Sequence, residues 1–394
     1  MTKLLLSCDD TVFCHKGKYY AANQEKMNFY QRYLRVFDGL RLVTRGEAES
    51  VLKEGRIPLD EDPRIEYVNI PSFHGPKQYA RVYFKIGTIL YKITDGCDAA
   101  ILRIPSTIAM RVGKRVMKNS IPYACEVVYD AEEGWRGSKG FNQKIWKKID
   151  KDMRYMCSRA DGVSCVTEHY LQQYYFSKKD NSFASHYSSL SLDSSFFSNA
   201  KTYPNHKSLI IAHTANQVSF MGRKGYNQIL DALKLLKDKG IIVNAKFAGQ
   251  DYQNGIAKLL TYANQLGIGE QVEFVGYLSR TELDEFLSKA DLFVMPTRAE
   301  GLPRVIIEAM AKGLPCITTP VSGNPELVSR HFLVDYYDTK TLAERIAELV
   351  TNQQLYELTS KENFEKSWKY EASVLEKRRD EFYKKLHDLT CHHL

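Results

Sequence analysis

Twice along this chain, short apolar runs of strand length alternate with longer amphipathic stretches of helical period, a pattern that leaves few architectures open. In the first half the expected strands lie at 3–7, 41–45, 65–70, 99–104, 122–129 and 162–167, with helices at 25–35, 79–92, 107–119 and 139–159. In the second half strands at 209–212, 241–248, 272–275, 292–295 and 316–319 alternate with helices at 226–239, 256–266, 280–289, 303–313 and 339–351. Strands that alternate with helices pair in parallel and are covered on both faces, so each half is expected to be an α/β, Rossmann-like, doubly wound sheet. Residues 9–20 read as a polar loop, and 176–207 as a Ser- and Asn-rich connection holding at most a short strand near 184–190. The domain boundary is placed near Tyr203-Pro204, giving domains 1–204 and 205–363. A last helix over 364–386, with Trp368, Leu375, Phe382 and Leu386 among many charges, is long enough to leave the second domain and complete the first, within a terminal segment 364–394.

A chain of 394 residues with 44% hydrophobic content can bury two such cores. Its net charge of +8 favours anionic partners without naming one. The basic segments 107–119 and 139–159 suit either an anionic lipid surface or the solvated outer faces of Rossmann helices. Eight cysteines without a two-residue spacing argue against a zinc ribbon or a redox pair and read as buried free thiols. Cys391-His392-His393 reads as a frayed tail rather than a metal site. No run approaches the ~20 apolar residues of a membrane span, and Met1 to Leu6 is too short for a signal peptide, so a cytoplasmic protein is expected.

The chemistry concentrates at Glu300-Gly301-Leu302-Pro303-Arg304, between the apolar strand 291–296 and a helix expected to open near Pro303. Proline suits a first helical position, glycine lets backbone approach a ligand, and a helix N-terminus at the carboxyl edge of a parallel sheet attracts a phosphate. Glu300 in the loop and Glu308 about one and a half turns into the helix place two carboxylates near such a ligand, where sugar hydroxyls suit them. Taken alone, the pair reads as two solvated glutamates beside a buried strand and a capped helix, and the surrounding sequence changes that reading. Arg223-Lys224-Gly225, before the first helix of the second half, brings a cation to a second helix end at the same sheet edge. Two anion-directed helix ends suit a diphosphate, and Lys224 with backbone amides would stabilise charge growing on a leaving diphosphate without a metal. The second half contains no Asp-x-Asp. Arg304 fits either the phosphate or solvent. In the first half, Arg103 and Ser106 fall at a strand's carboxyl end, where open sheets place ligands.

Several of these features occur in one order. Lys224-Gly225, Gly249 after a strand, Val275-Gly276, Ala290-Asp291 with Pro296, Glu300 and Glu308, Glu308-Ala309-Met310-Ala311 with Gly313 and Pro315, and Gly323-Asn324-Pro325-Glu326 together resemble the donor domain of retaining family 4 glycosyltransferases of the GT-B fold, over about 208–330. The resemblance implies two Rossmann-like domains facing across a cleft, no metal or other cofactor, and a UDP- or GDP-sugar donor. It places Glu300 on the donor sugar, Glu308 on the ribose, Lys224 on the diphosphate, Gly301, Leu302, Pro303 and Arg304 on phosphates or sugar, and Gly276 and Tyr277 at the base. Two departures stand out. Many members carry an arginine soon after the opening strand, where this chain has His213-Thr214-Ala215-Asn216, leaving Arg223 or Arg304 to substitute. The first half lacks a paired-glycine loop and offers Phe13 to Lys18 instead. Arg103-Ile104-Pro105-Ser106, Val128-Tyr129-Asp130 and Val166-Thr167-Glu168 resemble capsular and exopolysaccharide transferases and make Arg103 and Asp130 candidate acceptor contacts, Arg103 also a candidate catalytic group.

The expected activity is transfer of a sugar from a nucleotide-diphosphate donor to a growing, lipid-linked surface glycan with retained configuration, at or near the inner membrane surface and without nucleic acid. A sugar-nucleotide epimerase on the same fold, or a catalytically silent nucleotide-sugar-binding subunit of an assembly complex, are the alternatives.

Overall fold

In a computed structural model, the described residues are 1–136, 138–190, 192–205 and 209–391. The chain packs as two compact units, one of Met1–Val166, Leu171–Tyr187 and Glu376–Leu394, the other of Thr167–Tyr170 and Ser188–Leu375. His392 and His393 lie outside the described residues.

The strands of the first unit are β1 Lys3–His15, β2 Lys18–Ala21, β3 Gly39–Ala48, β4 Ile57–Pro58, β5 Ile65–Pro71, β6 Ala99–Ile104, β7 Tyr123–Val127, β8 Gly162–Cys165 and β9 Phe183–His186. Seven pair in parallel in the order β5-β3-β1-β6-β7-β8-β9, so the winding reverses between β1 and β6. Apolar residues on both faces fit this burial: Leu4, Leu5, Leu6 and Ala99 to Leu102 have no exposed surface.

Residues 9–20 are not the loop expected from their polarity. β1 runs on to His15, turns through Lys16 and Gly17, both left-handed, and pairs antiparallel with β2, which pairs with β4. A two-residue turn with positive φ at both centres matches the twist of the strands it joins, and Lys-Gly meets that need with only one glycine. After Ser7 the register of β1 against β3 shifts, and Thr11 faces Arg45. Arg56 lies over the Phe13 ring at 3.5 Å, so an arginine covers the apolar side of this extension.

The second unit holds β10 Leu209–Val218, β11 Val243–Asp251, β12 Val272–Gly276, β13 Leu292–Met295 and β14 Cys316–Thr318, all parallel in the order β12-β11-β10-β13-β14. The winding again reverses at the first strand, between β10 and β13. β10 is longer than the sequence suggested: past a register shift after Thr214 it pairs Gln217 with Gln250 and Val218 with Asp251, converting part of the expected loop 214–225 into strand.

The expected helix over 364–386 is two helices, Gln353–Ser367 and Ala372–Cys391, separated by a 3-10 turn at Trp368–Tyr370. Glu371 caps the break: its carboxylate accepts the Ser373 N–H at 2.8 Å, and Trp368 stacks on Phe197 at 4.1 Å. From Glu376 onward the last helix belongs to the first unit, where Arg35 bonds Asp380 at 2.9 Å and Phe183 meets Phe382 edge-on at 5.0 Å. All eight cysteines are free thiols; Cys14 is half-buried and Cys391 exposed, and the other six are buried. Among the described residues no helix is long and apolar enough to cross a membrane.

Candidate active site

The reversal of winding between β10 and β13 fixes where a ligand of the second unit belongs. At such a point the loops leaving two adjacent strands diverge to opposite faces of the sheet and open a crevice at its carboxyl edge. The two loops here are 219–225 and 296–303, which carry most of the residues singled out in the sequence.

The loops touch through their backbones. Gly225, left-handed at φ 75°, precedes the helix Tyr226–Asp238, and a Cβ added to it would fall 1.8 Å from the Pro296 carbonyl oxygen. The Arg298 N–H donates to the Arg223 carbonyl at 2.9 Å, and the Tyr336 hydroxyl to the Gly222 carbonyl at 2.9 Å. Gly225→Ala should therefore cost at least about 2 kcal/mol, combining an unfavourable φ with a backbone clash that no side-chain rotation relieves. Urea unfolding would measure it, and a loss below about 0.5 kcal/mol would mean the two loops part readily.

This junction sets Lys224 against Glu300. The ammonium pairs with Glu300 Oε1, which also accepts the Thr297 hydroxyl at 3.0 Å. Thr297 is itself held by Thr319, whose Oγ1 lies 2.5 Å from the Thr297 carbonyl and 3.3 Å from its nitrogen. The Lys224 and Glu300 side chains keep 22% and 13% of their surface exposed, enough for a ligand to reach both.

Glu308 is more enclosed. It is the fifth residue of the helix Arg304–Ala311, its side chain is 8% exposed, and its Oε1 pairs with the Arg280 guanidinium. Arg280 begins the helix Arg280–Ser288, whose start is fixed by reciprocal Ser279 and Glu282 capping, and it lies over the Phe196 ring at 4.6 Å. Sequence reasoning missed Arg280: a lone arginine on an exposed helix start carries no signal until the fold brings it against Glu308.

The remaining candidates are placed as follows. Pro303 precedes the helix rather than opening it; its ψ of 110° is extended, and Arg304 is the first helical residue. Gly301, Leu302 and Pro303 are buried, and the Gly301 carbonyl accepts the Gly323 N–H at 3.0 Å, tying the loop to 323–326. Arg223 and Arg304 are exposed. Gly276 ends β12 at φ 81°, and Tyr277 beside it is 74% exposed. His213 supplies no positive charge in place of an arginine. It is fully buried, its ring edge-on to Tyr226 at 4.4 Å and its Nδ1 2.8 Å from the Val294 carbonyl. Burial, set against the Val294 bond and reinforced by Lys224, pushes its pKa down to about 3, so it is neutral at pH 7.

Arg103 and Asp130 lie in the first unit, and each has a partner there. Arg103 Nη1 bonds Glu126 Oε2 at 2.9 Å, and the buried Asp130 accepts the Glu132 N–H at 2.9 Å. Among the described residues no three His, Cys, Asp or Glu side chains converge as a metal-ligand group would.

Two loops joined at the switch point, a lysine against one carboxylate and an enclosed second carboxylate eight residues on now stand beside the comparisons with known proteins. Residues 204–366 match the family described as Glycosyl transferases group 1. The second unit carries a glycosyl transferases group 1 domain. Over most of its length, that domain included, the chain is similar to the CapJ protein of Staphylococcus aureus, 24% identical over 92% of this chain and 90% of CapJ. The capsular polysaccharide biosynthesis glycosyltransferase CapM of the same species is 28% identical over 36% of this chain and 38% of its own length, so only about a third of each chain aligns. Among solved structures, Anabaena HepE in complex with UDP and glucose superposes at a TM-score of 0.66 with 15% identity, covering 97% of this chain and 99% of that one. At that identity the likeness concerns the fold, which is of the GT-B type expected from the sequence. Lys224, Glu300 and Glu308 all fall inside the group 1 domain.

Proposed function

We propose that this protein is a retaining, metal-independent glycosyltransferase that moves a sugar from a nucleotide-diphosphate donor to a growing, lipid-linked cell-surface polysaccharide. The observation that carries the proposal is the Lys224–Glu300 pair at the switch point of a glycosyl transferases group 1 domain. In this reading the donor diphosphate lies against the amides opening the helix Arg304–Ala311 and against Lys224, whose ammonium it shares with Glu300. Glu300 accepts from donor sugar hydroxyls. Glu308, its other oxygen held by Arg280, accepts from the ribose. As the bond between the anomeric carbon and the phosphate oxygen breaks, Lys224 and the amides take up the charge on the diphosphate, while the acceptor hydroxyl bonds the same face of the sugar and its proton passes to the departing phosphate. The similarity to CapM, a capsular polysaccharide biosynthesis glycosyltransferase, and to HepE, solved in complex with UDP and glucose, supports a polymer pathway and a UDP-sugar donor.

The test is a thermal-shift screen of the full chain against UDP- and GDP-sugars, followed by an assay of nucleoside diphosphate release with membrane extract. A donor at 100 times its Kd should add about 2.7 kcal/mol of stability, and release should require the extract. Absence of both donor binding and release would overturn the proposal. Isomerised donor without acceptor would identify an epimerase, and binding without turnover a silent subunit.

A further inference from the structure

From Tyr67 to Thr94 and again from Ala99 to Cys125 the chain contains no Asp or Glu. The helices Gly75–Ile89 and Thr107–Lys118 fall within these two stretches, and they are neighbours in the first unit: Arg111 Nη1 bonds the Tyr83 carbonyl at 2.9 Å, and the Arg111 guanidinium lies 4.2 Å from the Tyr83 ring centroid. Lys77, Arg81 and Lys85 on the first and Lys114 and Lys118 on the second are exposed.

The helix Gly75–Ile89 is unusual for one covering a Rossmann sheet, because Ile86 is its only buried residue. Lys77, Arg81, Phe84 and Thr88 follow one another at spacings of four, three and four, which places them in one stripe on the face away from Ile86. In the middle of that basic stripe Phe84 is 84% exposed, and Tyr91, just beyond the helix, is 65% exposed with Arg115 over its ring at 5.4 Å. A solvated helix face has no use for a bare phenyl ring among lysines. An aromatic ring surrounded by unopposed cations is instead the composition that inserts at the headgroup level of an anionic bilayer. The other basic helix, Gly140–Ser158, differs: Arg154 is paired with Asp150 and Glu132, and Lys148 with Asp152, so much of its charge is already neutralised within the protein.

We infer that the paired helices Gly75–Ile89 and Thr107–Lys118 dock the protein on an anionic lipid surface, with Phe84 entering the headgroup region and Lys77, Arg81, Lys85, Lys114 and Lys118 facing the lipid phosphates. This deepens the membrane-linked acceptor of the proposed function, but it rests on separate residues and is tested without turnover.

Full-chain protein is sedimented with phosphatidylcholine vesicles containing or lacking phosphatidylglycerol, at low and high salt. Binding is expected only with phosphatidylglycerol and should fall with salt. Lys77→Gln/Arg81→Gln/Lys85→Gln should weaken it by about a hundredfold, at about fivefold per charge. Phe84→Ser should weaken it about tenfold, and Phe84→Trp should show a blue-shifted emission on adding phosphatidylglycerol vesicles. The variants are matched to the parent by melting temperature and by donor-induced thermal shift. Equal vesicle binding by the parent and both loss variants would overturn the inference. So would no vesicle binding by the parent, or binding of an RNA oligonucleotide with vesicles ignored. Vesicle binding by a protein that binds no nucleotide sugar would leave the docking surface standing and overturn the transfer chemistry.

Discussion

Lys224→Ala should lower the transfer rate by about a hundred- to a thousandfold, the loss that follows removal of one preorganised charge donor from a developing anion. Glu300→Ala should cost at least as much, because Glu300 both receives the donor sugar in the proposed reading and holds Lys224 in place. The two residues act as a unit, so the double variant should be little worse than the worse single one. Stability separates this from a folding defect. The pair keeps some solvent contact, so its contribution to folding is on the order of 1 kcal/mol, and melting temperatures should change by only a few degrees. Release of nucleoside diphosphate under saturating donor, measured for the four proteins, gives the answer. A Lys224→Ala enzyme with unchanged rate would show that the charge on the leaving group is met elsewhere, and additive losses would show that the pair does not act together.

The double winding and the position of this pair were legible because both depend on local patterns. Runs such as Leu292–Met295 are apolar on every residue, which only a strand covered on both faces requires, and the positions that follow such strands are set by the sheet. Lys224 and Glu300 could each be placed at a carboxyl edge from sequence. That they meet is a consequence of the β10–β13 adjacency, which the parallel topology implies and no motif states. What escaped the sequence depends on distant partners. The polar residues of β1 after Ser7 look like loop because the strands that pair with them are the short β2 and the end of β3, which begins only at Gly39. Arg280 becomes a site residue only when the helix it opens comes against Glu308. The break at Trp368–Tyr370 was hidden because the helical period continues on both sides of it, and the break is held by Phe197, far away in sequence.

Acid should unfold the first unit through a residue that drew no attention as sequence. Glu126 lies within β7, among residues that are all buried, and is itself only 2% exposed. Five donors from four segments converge on it. Oε2 accepts Arg103 at 2.9 Å, the Tyr33 hydroxyl at 3.1 Å and Arg32 at 3.5 Å, while Oε1 accepts the hydroxyls of Tyr383 at 2.8 Å and Tyr187 at 2.9 Å. Tyr383 comes from the last helix, so this carboxylate is one of the groups that hold that helix to the sheet of the first unit. Burial by itself would raise the carboxyl pKa, but Arg32, then Arg103, and the Tyr383 and Tyr187 hydroxyls outweigh it and hold it down to about 2. A carboxyl depressed from its ordinary value near 4.5 stabilises the fold above that value, and the contribution is lost as pH falls from 4.5 towards 2. The shift corresponds to roughly 3 kcal/mol. Glu126→Gln should cost about 3–5 kcal/mol at pH 7, since it leaves two buried guanidinium groups facing a neutral amide. It should also remove the part of the acid sensitivity that Glu126 carries. Urea unfolding at pH 7, 4 and 2.5, followed for both proteins with a probe in the first unit, checks both expectations. The parent should lose roughly 3 kcal/mol more than the variant across that range, and parallel pH profiles would show that Glu126 is not the group through which acid acts.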